Sequence, residues 1–483
     1  MNSIKHEALN GIKWSSVSTV YVALMKVLQV AILARYLDKE DFGLMGLAVL
    51  VNTFCMIFVD MGLAAAAMHQ TNLTKDKFSS FYWFNIAFGL LFTCCATLVS
   101  PLMAEYYDKS ELTSIISFTS LLIFINSTFS LQRTLQQKKM NFRFLSIVDI
   151  LSASLMLCSN ITFAVYGYGV YSLVWSSLIG ALFLSVSYLG LDIFREHNIK
   201  MHFKLSDVKG AMKIGSFQVG SSVLDFAARE MDSLIISSSY SMELFGVYTL
   251  CKQITMRVFS IINPIITNVA TPVFAKIQED KSKVNEVYVK IVRIIGFINF
   301  PIYSIMACCS TSLIAILYGD SYIQYSYVLF FLCLYYAFQS IGNSVGSLLI
   351  ALGKTDYGFY WTFFRVCFAG VYFYFLSMLD LHYFVFFVFL LSILMLYPSW
   401  LVMLRRVIDI KFSTTFGLSI IPFLPCVPLL SLYWLDQYIG IPLVSISIIL
   451  VVFSLGYLLI SYAFRKQFTL YFFRAIFKSK TSF

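Results

Sequence analysis

Charge is what this chain has least of: Asp, Glu, Lys and Arg make up 12% of its 483 residues, about half the usual share in a soluble protein. So little charge cannot clothe the exterior of a soluble fold of this length, which excludes a cytosolic enzyme and a disordered scaffold alike. Proline is sparse, at 9 residues, and histidine numbers 5. The 10 cysteines all lie inside apolar stretches, with no CxxC pair and no histidine at ligand spacing. No disulfide framework, zinc site or other cofactor is therefore expected. No Walker A loop, nucleophile elbow or HExxH occurs, so ATP hydrolysis, acyl transfer and zincin chemistry have no carrier. What fills the chain instead is apolar, 59% of all residues, against a soluble norm of about 45–50%. Its solvent is lipid.

A bilayer core needs about 20 apolar residues of helix to cross it. Divided at that length, the sequence reads as an all-α integral membrane protein with about fourteen transmembrane helices. Their expected spans are 14–36, 42–65, 79–103, 112–132, 144–166, 169–191, 214–239, 244–274, 291–318, 323–350, 357–379, 382–404, 416–435 and 441–464. The connections are short, and no soluble domain fits between them. The first span is not a cleaved signal peptide, because its apolar run is too long and contains Lys26 and Gln29.

Basic loops are retained on the cytoplasmic side of a membrane. With the N-terminus inside, the inner segments hold Lys5 and Lys13, Lys75 and Lys77, the group Arg133 to Arg143, five basic residues from Arg195 to Lys213, five more from Lys276 to Arg293, Lys354, Arg405 to Lys411, and a basic tail from Arg465. The outer loops hold Lys39 and Lys109 alone. A miscount of one helix would scramble that asymmetry, so both termini of the multi-pass protein are expected in the cytoplasm. The net charge of +10 is then a retention signal that also attracts anionic membrane lipid, and no nucleic-acid partner is implied.

The chain also resembles itself. An offset of 203 residues places Phe42-Gly43 on Phe245-Gly246, Lys26 on Arg229 and Asp60 on Asn263, without a gap. Six helices separate the copies, an even number, so the repeats run parallel. The expected organisation is an N-lobe over 1–191 (six helices), a cytoplasmic amphipathic linker over 192–213, a C-lobe over 214–404 (six helices), and 405–483 with two appended helices and the basic tail. The linker is expected as a short helix on the inner surface.

An ionisable group at mid-membrane costs at least about 2.5–3.5 kcal/mol, so it faces a cavity or a partner. The candidates are Lys26, Arg35, Asp60, Asp149, Asp225, Arg229, Glu230, Asp232, Lys252, Arg257 and Arg365, concentrated on the first, second, seventh and eighth spans. In a two-lobe transporter those helices would face one another across a polar cleft. Asp225, Arg229 and Asp232 are spaced i, i+4, i+7 and share one helix face. They read either as an internal ion pair, with Arg229 neutralised by Asp225 or Asp232, or as part of a substrate site. Lys26, Arg229, Lys252 and Arg257 form a cationic set suited to phosphate or carboxylate ligands. Arg35 and Arg257 also fit snorkelling to an interface, and Asp149 and Arg365 are expected at interfaces. Asp60, before Gly62 and a run of alanines, reads as a proton or sodium carrier at a close helix contact, or as the partner of a lysine. Pro264, Pro272 and Pro301 are expected to bend their helices. Aromatic residues, 17% of the chain, are expected to face lipid and form interfacial belts rather than sugar-stacking platforms.

The stretch YLDKEDFGLMGLAVLVNTFCMIFVDMGLAAAAMHQTNLT from Tyr36 to Thr74, followed by FYWFNI and by LQQKKMNFRFLSIVDI from Leu135 to Ile150, resembles the Wzx-like polysaccharide flippases. The nearest subgroup is the colanic-acid and teichuronic-acid exporters of the multidrug/oligosaccharidyl-lipid/polysaccharide (MOP) exporter superfamily. Its most specific parts are the acidic-Phe-Gly turn, the Asp-x-Gly-Leu element at Asp60, Gly62 and Leu63, and the Lys-Met-x-Phe loop at Lys139, Met140 and Phe142; Gly167-Tyr-Gly169 fits as well. The resemblance implies two six-helix bundles in a V, like the MATE transporters. It implies a bacterial inner-membrane flippase, not an enzyme, moving an undecaprenyl-pyrophosphate-linked oligosaccharide outward on an ion gradient of H+ or Na+. It implies work as a monomer beside the polymerase and glycosyltransferases of its pathway. It fixes no substrate residues. A cation-coupled multidrug exporter of the same superfamily is the first alternative and should show acidic residues dominating the cavity. A membrane glycosyltransferase or polysaccharide ligase is the second, and would need a larger outer loop than 104–111. Of the histidines, only His382 is expected outside, which leaves no buried histidine relay.

Overall fold

The computed structural model describes residues 2–70, 74–196 and 199–464; the basic tail expected from Arg465 lies outside them, as does His197. Among the described residues every regular element is helical. The long helices are α1 (Asn2–Leu33), α2 (Lys39–Asp60), with the short α3 (Leu63–His69) after it, α4 (Lys75–Tyr106), α5 (Glu111–Lys138), α6 (Phe142–Val165), α7 (Tyr171–Leu191), α8 (Leu205–Ser239), α9 (Met242–Lys276), α10 (Lys281–Cys308) with α11 (Ser310–Tyr318), α12 (Ser326–Ala351) and α13 (Thr355–Leu376). They are followed by α14 (Leu381–Leu394), continued by α15 (Leu396–Ser399) and α16 (Arg405–Ile408), then α17 (Phe412–Ile420), α18 (Leu432–Tyr438) and α19 (Pro442–Phe464).

Among the described residues, 11 helices are long and apolar enough to cross a membrane. They correspond to the expected spans one to six, nine to twelve and fourteen. The seventh and eighth expected spans are α8 and α9, each of 35 residues. At about 1.5 Å per residue such helices outreach a hydrocarbon core of about 30 Å, but their charged residues dilute their hydropathy. The thirteenth departs from expectation. Pro422, Pro425 and Pro428 recur every third residue, and each lacks the amide that an α-helix needs. The segment is accordingly helical at its two ends, α17 and α18, with turns and a 3-10 turn at Pro428–Ser431 between them. Pro398 has a milder effect, since a π-turn at Trp400–Leu404 follows it and the helical path continues. Pro301 lies inside α10, which continues to Cys308; the side chain of Pro264 lies outside the described residues.

Lipid contact shows in the burial. Only 11% of the α1 membrane window and 17% of the α13 window are buried, against 56% for α2, so α1 and α13 present most of their apolar surface outward while α2 is a packing centre. Between α4 and α5 the glue is hydroxyl and amide: Asn85 Nδ2 donates to the Ser127 carbonyl at 2.8 Å, and Thr93 Oγ1 donates to the Ser120 carbonyl at 3.1 Å. Thr97 and Ser120, and Ser100 and Ser117, pair through their hydroxyls at 3.0 Å. Such interhelical bonds replace water that lipid cannot supply.

The chain divides into two compact units, Met1–Thr249 and Leu250–Phe483. The division falls within α9, and α8 packs on α2, α3 and α4 of the first unit. The expected linker, 192–213, runs from the end of α7 into α8. A π-turn at Asp192–Glu196 extends α7, residues 199–204 are irregular, and α8 starts at Leu205. Side chains of α4 and α5 strap it down: Trp83 Nε1 donates to the Lys200 carbonyl at 2.8 Å, Lys200 Nζ meets Asp76 at 2.7 Å, and Lys139 Nζ meets Glu196 at 2.8 Å. The Lys200 and Lys204 amides donate to Ser79 and Ser80. These bonds supply partners to backbone groups of Lys200 and Lys204 that no helix pairs.

Candidate functional site

The candidate charges fall on both units. Lys26, Asp60, Asp225, Arg229 and Asp232 belong to the first, and Lys252 and Arg257 to the second. On α8 the expected charged face divides by environment. Asp225 and Arg229 are exposed, and Arg229 Nε donates to the Asp225 backbone carbonyl at 3.3 Å. Asp232 is buried; it accepts the Tyr248 hydroxyl from α9 and the Ser233 amide at 2.8 Å, while the Ser233 hydroxyl donates to Glu230 at 3.1 Å. Tyr248 is itself 0% exposed. A carboxylate held by a phenol and an amide is a charge-assisted pair that fixes the top of α8 to the start of α9.

Lys26 is half-buried on α1. Lys252 is 5% exposed on α9, and Arg257, five residues on, is half-buried. Asp60 is exposed at the C-terminal end of α2, where its carboxylate accepts the Ala64 amide across the break into α3. Met61 and Gly62 make that break with φ of 36° and 71°. The close contact expected there is with α8: a Cβ on Gly62 would stand 3.0 Å from Gly215 Cα, and one on Gly215 would stand 1.7 Å from the Met61 carbonyl oxygen.

The sequence repeat has a physical counterpart in the first unit. A Cβ on Gly43 would meet the Met242 carbonyl oxygen at 2.2 Å, and one on Gly246 would meet the Lys39 carbonyl oxygen at 1.9 Å. Gly43 and Gly246, and Lys39 and Met242, are equivalent under the 203-residue offset, so repeat-related turns pack against each other reciprocally, as in an isologous contact. The helix starts match as well. Asp38 forms a capping box with Asp41 at the start of α2, and Ser241 Oγ accepts the Leu244 amide at the start of α9. Lys39 crosses to Glu243 at 2.9 Å. Glu40, the equivalent of Glu243, meets Lys109 at 2.5 Å and through that bond holds its ammonium above the ordinary lysine range.

Two further charged residues are held in the packing. Asp149, expected at an interface, joins α6 to α5 through a bidentate pair with Arg133, both bonds at 2.7 Å. Asp436, one residue beyond the expected thirteenth span, was not among the sequence candidates. It is buried and accepts the Ser312 amide at 2.9 Å and the Ser312 and Ser445 hydroxyls at 2.5 Å. The proline spacing before it was the available signal that helix geometry fails there. All ten cysteines are free thiols, and among the described residues no group of three His, Cys, Asp or Glu could hold a metal.

Residues 32–327 match the family described as "Polysaccharide biosynthesis protein". The chain is 26% identical over 373 residues to the lipopolysaccharide biosynthesis protein WzxC of Escherichia coli (strain K12), covering 75% of this chain and 74% of that one. It is likewise 26% identical over 365 residues to the teichuronic acid biosynthesis protein TuaB of Bacillus subtilis (strain 168), covering 75% and 74%. Among solved structures it is similar to the lipid II flippase MurJ in an inward closed conformation, with TM-score 0.71 at 13% identity over 96% of this chain and 100% of that one. An inward-facing multidrug resistance MATE family transporter of the MOP superfamily aligns with TM-score 0.59 at 13% identity over 86% and 98%. At such identities the likeness establishes the fold: this is a multi-pass membrane protein of the MurJ and MATE type.

Proposed function

The chain belongs to the polysaccharide biosynthesis protein family, and from that premise we propose that it is a flippase carrying an undecaprenyl-pyrophosphate-linked oligosaccharide across the bacterial inner membrane. The observation that carries the reading is the charge on α8 and α9. In a chain with 12% charged residues, these two helices concentrate Asp225, Arg229, Glu230, Asp232, Lys252 and Arg257. Ionisable groups at membrane depth serve a polar pathway. Pyrophosphate is the group on such a cargo that most needs help to cross, and cations held in a low-dielectric site bind it through charge-assisted hydrogen bonds. Lys26, Arg229, Lys252 and Arg257 take that role, while Asp60, Asp225 and Asp232 couple an ion, H+ or Na+, or neutralise the cations between cargoes.

The lobes 1–191 and 214–404 act as the moving halves, in alternating access driven by the ion gradient, with the prenyl tail left in lipid. The reciprocal packing of the Gly43 and Gly246 turns supports treating them as repeats. Likeness of fold to MATE transporters makes drug export the second reading, and the cations among the candidates weigh against it. The protein works in the cytoplasmic membrane with both termini inside, as a transporter rather than an enzyme.

Complementation in a strain lacking the chain tests this. Arg229→Ala is expected to abolish surface polymer at unchanged protein level, with the lipid-linked glycan accumulating inside. Lys26→Gln and Arg229→Gln are each expected to be worse than Arg35→Gln, whose arginine is exposed at the end of α1. Normal polymer in the Arg229→Ala strain removes Arg229 from the site.

A further inference from the structure

The second unit contains a cavity of about 840 Å³, within the range of about 300–1,000 Å³ typical of small-ligand sites. Four stretches that the chain brings together only in three dimensions wall it: Thr311, residues 323–331, His382, and residues 430–437. By the distribution of lysine and arginine, the last three lie at the outer ends of their helices.

Its lining has a definite chemistry. Aromatic rings dominate, with Tyr327 and His382 at 4.7 Å between centroids and Phe330 and Tyr433 at 4.8 Å. Trp434 lines it while remaining 63% exposed, so a ring face is available to a ligand. Between the rings stand the exposed amides of Gln324 and Gln437, and neither makes a hydrogen bond among the described residues. The Ser326 and Tyr433 hydroxyls pair at 3.2 Å. Among the described residues no Asp, Glu, Lys or Arg lines the cavity, and Ile323 and Leu430 are the only aliphatic ones that do.

One wall of the cavity is anchored from behind. Asp436 lies between Trp434 and Gln437 in sequence and points the other way, its oxygens taken by Ser312 and Ser445. That buried carboxylate fixes α18 to α11 and α19, and so holds the tryptophan and the glutamine in place before any ligand arrives.

From this arrangement we infer that the cavity is a binding site for an uncharged saccharide on the outer side of the second unit. A sugar ring has an apolar face of C–H groups that stacks on an aromatic ring and an edge of hydroxyls that both donate and accept, which amides satisfy in either sense. The lining offers no cation to phosphate, pyrophosphate or acidic sugars. The scarcity of aliphatic side chains sets the cavity apart from one built for acyl chains. The site is distinct from the cations of α1, α8 and α9, and the claim stands without the transport reading.

The full-length protein in lipid nanodiscs, free of glycoside detergent, is the material for the test. Saturation-transfer NMR against a panel of glucose, galactose, N-acetylglucosamine and their neutral disaccharides is expected to show transfer to at least one sugar. Trp434→Ala and Gln437→Ala are each expected to weaken that binding about tenfold. Trp361→Ala, on α13 and outside the cavity, is expected to leave it unchanged. No transfer to any of the sugars, or transfer that survives both cavity substitutions, overturns the inference. So does labelling of residues 430–437 by a photoactivatable phospholipid acyl chain that no sugar displaces, because that result assigns the cavity to lipid.

Discussion

At the scale of single residues, two glycines show how little room the packing leaves. Gly43 and Gly246 each face a backbone carbonyl oxygen, where a Cβ would stand at 2.2 and 1.9 Å. A carbonyl in a helix cannot move aside as a side-chain tip can, so the helices themselves must separate. Gly190, on α7, has nothing within 4 Å of the same position, and a helical Gly→Ala change there gains up to about 1 kcal/mol of propensity. Gly43→Ala and Gly246→Ala are therefore expected to lower the melting temperature of the purified protein, while Gly190→Ala leaves it unchanged or raises it. Equal melting of all three would show that the two turns do not bear on each other. The Arg133–Asp149 pair makes a related point about charge. Both were visible in the sequence as charges near the inner side, but which met which depended on how α5 lies on α6.

At the scale of elements, the segment from α17 to α19 is where local chemistry and burial diverge. Pro422, Pro425 and Pro428 remove three helix amides in succession, and the path that results turns Asp436 inward. A buried carboxylate is tolerable only with its hydrogen bonds made, and Ser312 and Ser445 make them. Asp436→Ala leaves those donors without their acceptor, so it is expected to lower thermal stability more than Asp436→Asn, which keeps an acceptor oxygen. Fluorescence-detected size-exclusion after heating measures the difference. If the two variants melt together, the carboxylate does not anchor α18. The expected linker over 192–213 is a second case: residues 205–213 form the first turns of α8, while in the irregular stretch before them α4 side chains pair the Lys200 and Lys204 backbone groups.

At the scale of the whole molecule, the distribution of lysine and arginine gives every helix an expected orientation at once. A single cysteine introduced between residues 104 and 111, in a background lacking the ten native cysteines, is expected to react with an impermeant maleimide added to intact cells. One introduced between 199 and 209 is expected to react only after the membrane is opened. The reverse pattern would invert the topology and move the aromatic cavity to the inner side. The repeat belongs to this scale too. Three gapless matches announced it in the sequence, and the reciprocal contact of its Phe-Gly turns gave it a geometric meaning.

Most of the helices, their order and their expected orientation were readable from composition and spacing. Lipid acts on each segment separately, through apolar length and flanking charge, and both are local properties of the chain. What folding added was every juxtaposition: Asp232 on Tyr248, Arg133 on Asp149, Asp436 on two serines, and an aromatic cavity from four stretches of chain. Such contacts depend on which helix lies beside which and at what rotation, and in a chain where nearly every helix is apolar all round, hydrophobic periodicity carries little record of either.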